Sequence, residues 1–186
     1  MISSILNEIM IYRKELTKDF DLLFSRGLSD DEISFLCKEN KIKLNDEFKE
    51  IFKWKNGYIH HQEMNIGDYY LIPGFTIIPI EQSIKDHLLY YGINKKWKFM
   101  YPILLDFGGG YYCYNNNDKA IYNIIVDEGS VNKVFNNINN MLLYILESFK
   151  EKGFFISEDG YLEQNNIIIQ KIALKHSDLQ YWKDYL

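Results

Sequence analysis

His60, His61 and Glu63 fall close together and carry metal-binding side chains, so a zinc-type site is the first chemistry to weigh. Adjacent histidines on an extended chain point to opposite sides, however, and the other two, His87 and His176, lie in helical patterns; no metal site is expected. Asp106-Phe107-Gly108 has the form of the magnesium-binding triplet of protein kinases, but no H-R-D loop, strand lysine or glycine-rich loop accompanies it. The run Gly108-Gly109-Gly110 lacks both the lysine of a phosphate loop and a dinucleotide fingerprint, which leaves a sheet turn or bulge that needs positive φ. There is no G-x-S-x-G elbow, and neither Cys37 nor Cys113 has a Cys or His motif beside it. Asp30, Asp31 and Glu32 stand where a helix N-terminus favours carboxylates with no catalytic role. The expectation is a protein without catalytic residues, metal or cofactor.

The elements that hold these residues begin with a well-punctuated pair of helices. Ser29 and Glu32 form a capping box, Leu28 and Ile33 a hydrophobic staple, and Ile33, Leu36 and Cys37 share a face up to Asn40. Asn45 is placed to cap the second helix, in which Phe48, Ile51 and Phe52 recur at helical spacing before Asn56-Gly57 stops it. Leu6, Ile9, Leu16, Phe20 and Leu23 predict an amphipathic helix over residues 2 to 24. Residues 58 to 68 follow neither period and read as a long loop.

Short strands are predicted at Tyr69 to Ile72 and Phe75 to Ile78, followed by a helix over 80 to 91. A meander comes next, from Phe99 to Leu105, Tyr111 to Tyr114 and Ala120 to Val126, with a helix from Val131 to Lys150 to cover one face. A hairpin around Asp159-Gly160 and helices near Ile167 to Leu174 and Asp178 to Tyr185 complete the chain. Together these read as an α+β fold with a single antiparallel sheet flanked by several helices, and as one domain over residues 1–186. Leu28, Ile33, Leu36, Phe48, Ile51, Phe52, Leu104, Ile138, Leu142 and Ile145 are the expected core.

Composition narrows the function classes. The chain has 47% hydrophobic and 25% charged residues, ordinary globular values, and no apolar run reaches the roughly 18 residues of a spanning helix. Its N-terminus is interrupted by Glu8, Arg13 and Glu15 and reads as a helix, not a signal. The two cysteines sit in apolar patterns, which points to a reduced, cytoplasmic setting with both thiols free. A net charge of -5 disfavours a direct grip on nucleic acid and suits a basic protein partner.

The signature carried by Gly27, Leu28, Ser29, Glu32 and Ile33, then Leu44, Phe48, Lys49, Ile51, Phe52, Trp54, Asn56 and Gly57, resembles that of the SUKH superfamily, the Smi/Knr-like proteins. The block Pro102 to Tyr114 fits as well, and the resemblance runs over roughly residues 27 to 150, leaving 151–186 as a C-terminal extension. It implies a non-enzymatic protein that acts by binding a partner. The bacterial members are mostly immunity proteins that neutralise a toxin, and an acidic inhibitor suits a basic toxin such as a nuclease. A regulatory scaffold resembling the yeast cell-wall regulators is the alternative.

The partner site is expected at Glu63, Asp68, Tyr69, Tyr112 and Tyr114, on the long loop and on the strand after the glycines. Alternation makes Tyr112 and Tyr114 one face and Tyr111 and Cys113 the other; with Cys113 taken as buried, Tyr112 and Tyr114 are expected to point outward. The acidic helix pair Asp30 to Glu50 is the alternative surface.

Overall fold

A computed structural model describes residues 1–61 and 63–185. α1 (Ile2–Leu16) ends earlier than its apolar spacing predicts, because the chain turns through Asp19 at φ 57 into a short 3-10 turn and β1 (Phe24–Arg26). The paired helices follow as α2 (Asp30–Glu39) and α3 (Asp46–Trp54), leading into β2 (Lys55–Tyr58). The capping box is formed as predicted: the Glu32 amide donates to Ser29 Oγ at 3.2 Å and the Ser29 amide to Glu32 Oε2 at 2.8 Å. Asn45, by contrast, caps nothing with its side chain. Its amide and side chain donate instead to Asn116 and to the Tyr114 hydroxyl, clasping α3 to a distant turn.

The rest of the signature is equally structural. Trp54 Nε1 donates to Asn7 at 2.8 Å, tying α3 to α1. Asn56 Oδ1 accepts from the Ile80 amide at 2.9 Å while its Nδ2 donates to Glu81, which fixes the start of α4 (Ile80–Ile93). At Gly57, φ is 73 and a Cβ would lie 2.2 Å from the Pro79 nitrogen, so no other residue fits.

Before α4, residues 69–78 differ from the two strands expected. The Asp68 carboxylate accepts the Asn65 amide and helps wind Ile66–Tyr69 into a 3-10 turn, Ile72 and Phe75 form an isolated bridge, and only β3 (Thr76–Ile77) joins the sheet. Local side-chain capping outcompetes strand propensity there. The meander is β4 (Met100–Leu105), β5 (Gly110–Asn115) and β6 (Ile121–Ile125), and a further strand, β7 (Ser130–Phe135), extends it. The sequence reading places residues 131–135 in a helix. They pair with β6 instead, and α5 (Ile138–Lys150) begins after Asn137, whose side chain accepts from the Asn140 amide. Val131, Val134 and Phe135 satisfy either period, and the free edge of β6 decides between them.

The fold is α+β, with a five-stranded antiparallel sheet in the order β3-β4-β5-β6-β7 and two small ladders, β1 with β2 and β8 (Phe154–Ile156) with β9 (Leu162–Gln164). α6 (Asn166–His176) and α7 (Gln180–Lys183) close the chain. Tyr112 and Tyr114 share a face with Tyr101, Leu104 and Phe135, in the main core with α1, α3 and α5. Tyr111 and Cys113 face a smaller core with Trp97, Met100 and Ile124, under the end of α4. The expected alternation is present, but the outward orientation of Tyr112 and Tyr114 is not. Both faces of β5 are covered, so Tyr112 is 8% exposed and Tyr114 fully buried.

The part of β4 that the short edge strand β3 leaves unpaired and the β7 edge are both engaged. α4 lies along β4, with His87 Nδ1 2.9 Å from the Met100 carbonyl. At the opposite edge Trp182 Nε1 donates to the Val134 carbonyl at 2.7 Å and stacks with Phe135 and Tyr144, which docks the C-terminal extension on β7 and α5.

Candidate protein-binding interface

At the end of the sheet where β4 turns into β5, Asp106 folds back over the glycines. Its Oδ1 accepts from the amides of Gly108 and Gly110 at 2.8 and 2.7 Å, and a Cβ on Gly110 would strike the carboxylate. Gly109 adopts φ 94, the positive-φ turn read from the sequence. The neighbouring β6–β7 turn is joined to this one by the Val126 amide donating to the Gly109 carbonyl. Phe107 stacks edge-on against Tyr58, and the Tyr161 ring at the tip of the β8–β9 hairpin lies against Gly67. Three turns and the 58–70 loop thus gather at one end of the molecule.

The charge at that end is one-sided. Residues 56–84, 99–118, 120–132 and 153–170 contain no lysine or arginine. From these stretches come Glu63, Asp68, Asp106, Asp127, Glu128, Glu158, Asp159 and Glu163, and among the described residues none is in an ion pair. Apolar side chains stand among them, with Tyr161 61% exposed, Ile66 52% and Phe107 38%. Large exposed apolar side chains within a field of one sign are the usual make-up of a docking surface.

Below this surface lies a cleft of about 590 Å³ between the sheet and the C-terminal extension. Its floor is Tyr112 with its cross-strand neighbour Asn123, and Tyr144 of α5 adds a further wall. Tyr181, Tyr185 and Glu163 line the opposite side, and Asp106 stands at the mouth. Burial pushes the phenols of Tyr112 and Tyr144 well above the usual tyrosine range, so both stay neutral.

The residues expected to contact a partner are therefore split by the fold. Glu63 is exposed and Asp68 half-exposed on the loop at the acidic end, although Asp68 also accepts the Asn65 amide at 2.7 Å. Tyr112 reaches the cleft. Tyr69 is buried and its hydroxyl accepts the His61 amide at 2.7 Å, anchoring the loop; Tyr114 is buried and bonded to Asn45. Neither is available to a partner, because each hydroxyl serves an internal hydrogen bond. Asp127, Glu128, Glu163, Phe107 and Tyr161 were not among the partner contacts expected from sequence. The lysine-free stretches signal them, but only the fold brings those stretches together.

The model of the SMI1 / KNR4 family (SUKH-1) matches residues 27–144, from the glycine before α2 to the middle of α5. The chain belongs to this family. None of the curated proteins compared matches it. The SUKH-1 match ends at Tyr144, so the family core supplies the floor of the cleft, while the wall holding Glu163, Tyr181 and Tyr185 comes from the extension beyond it. The SUKH family includes immunity proteins that bind partner toxins and is generally non-catalytic. No helix among the described residues is long and apolar enough to cross a membrane.

Proposed function

We propose that this protein is a non-enzymatic immunity protein that binds a basic cognate toxin, such as a nuclease, through the acidic end and blocks its active site or access to substrate. The observation that carries this reading is the group of carboxylates without counter-charges set among exposed Tyr161, Ile66 and Phe107. A field of one sign speeds encounter with an opposite charge, and the apolar side chains hold the complex once formed. The same reading takes residues 1–186 as one functional unit acting in the cytoplasm of the cell that makes the toxin, with no cofactor and no direct contact to nucleic acid.

The regulatory-scaffold reading has one observation of its own. α4 leaves Leu88, Leu89 and Ile93 exposed, a second apolar surface that a further partner could use. Co-expression with a toxin domain encoded beside the gene would separate the two. Rescue of growth and a stoichiometric complex are expected for immunity. Absence of both, with several unrelated proteins bound directly, would favour the scaffold.

A further inference from the structure

Tyr112, Asn123 and Tyr144 are each more than nine-tenths buried as residues, and none of their side chains hydrogen-bonds to a described residue. All three line the same cleft. Elsewhere Tyr114 is partnered by Asn45, Tyr69 by His61, Trp182 by Val134 and Asn56 by Ile80, whereas Thr76, Ser83, Ser130, Asn139 and Ser177 hold sealed side-chain oxygens without a partner among the described residues. Unlike those sealed atoms, the three polar groups gathered in this recess line a cleft, where a polar guest can supply their hydrogen bonds.

The surroundings define that guest. Asp106 and Glu163 contribute two carboxylates, and among the described residues no lysine or arginine lines the cleft, which selects a cation. Tyr181 and Tyr185 supply aromatic walls, against which a cation is attracted by the ring quadrupole. The phenol oxygens of Tyr112 and Tyr144, Asn123 Oδ1 and the two carboxylates are acceptors spread around one recess. A planar guanidinium presents five donors and stacks on aromatic faces, whereas an ammonium is a strongly hydrated point charge. We propose that the cleft receives an arginine side chain of the partner protein, with Glu163, Tyr181 and Tyr185 of the extension determining which partner is accepted. This rests on the docking reading above. It assigns the arginine to a protein because Asp106 and Glu163, which line the cleft, belong to the carboxylates of the acidic docking end.

The test uses the full chain labelled at tyrosine Cε and titrated with N-acetyl-argininamide, followed by NMR. Saturable shifts in the millimolar range are expected at Tyr112, Tyr144, Tyr181 and Tyr185, with Tyr69 and Tyr114 unmoved. N-acetyl-citrullinamide, which is close in shape but uncharged, should not produce them. Tyr112→Phe removes one hydroxyl and keeps the ring, and Glu163→Gln removes one exposed charge; each should weaken binding about three- to tenfold, the usual worth of one hydrogen bond. An unchanged spectrum outside the cleft verifies folding of both variants. Equal shifts with the citrulline compound, non-saturating shifts over the whole acidic surface, or free L-arginine binding more than about tenfold tighter, as a metabolite site would, would each overturn the proposal. If argininamide fails while charge reversal around the cleft still slows toxin capture, the arginine inference falls and the docking reading stands.

Discussion

Two regions of this molecule are rich in carboxylates, and they differ in what surrounds those charges. On α2 and α3, Asp30 and Glu50 both meet Lys53, at 2.6 and 3.1 Å, Asp46 meets Lys49 at 2.9 Å, Glu47 meets Lys119 at 3.6 Å, and Glu32 pairs with Arg26. Such exposed pairs add little stability, but they cancel the field beyond a Debye length of about 8–10 Å. At the cleft end no described carboxylate has a cation, so the excess negative charge projects from there. Acidic content alone does not mark a docking surface; the interleaving of lysines decides. The helix pair Asp30 to Glu50, the alternative surface from sequence, reads instead as a structural unit most of whose carboxylates are paired with cations.

The sharpest contrast between the two regions comes from separating stability from binding. Phe48 is fully buried against Phe52, Tyr101 and Tyr114, so Phe48→Ala should lose about 3–5 kcal/mol of unfolding free energy in a denaturant titration. A loss well under that range would place the core elsewhere. At the other end, Glu63→Lys with Asp127→Lys and Glu128→Lys should slow toxin association by about tenfold or more at low salt, with stability changed by no more than about 0.5 kcal/mol per site. Stopped-flow association against ionic strength is the measurement. A comparable slowing from Asp30→Lys with Glu50→Lys would erase the distinction between the regions.

Smaller effects belong to the capping box. Ser29→Ala should cost about 1 kcal/mol at neutral pH and leave toxin association unchanged. The hydrogen bond from Arg26, followed by those from Ser29, holds the Glu32 carboxyl at about 2, below its ordinary 4.5. Because the folded value is depressed, its stabilisation is complete above pH 4.5 and fades as pH falls toward about 2. Glu32→Gln should therefore lower thermal stability slightly at pH 7 and have a much smaller effect near pH 2. Equal effects at both values would show that the charge is not what Ser29 and Arg26 stabilise.

Much of the architecture was determined by local chemistry. The capping box, the Phe48-Ile51-Phe52 stripe, the positive-φ glycine turn and the meander need only neighbouring residues and their periods. Helix α2 and the hairpin β8–β9 stand where that chemistry puts them, and Ile33, Phe48, Ile51, Phe52, Leu104, Ile138, Leu142 and Ile145 are buried as read. Leu28 and Leu36 are half-buried at the rim of the core.

Partner choice over distance was settled only by tertiary structure. Residues 131–135 fit helix or strand by pattern, and the unpaired edge of β6 made them a strand. Period two could group Tyr112 with Tyr114 but not say whether a second layer covers the other face; α4 does, so no face of β5 is left for solvent. Lysine-free stretches far apart in the chain became a single acidic surface because strand turns, a loop and a hairpin from the extension end at the same pole. Electrostatic potential depends on distance in space, and separation along the chain does not report it.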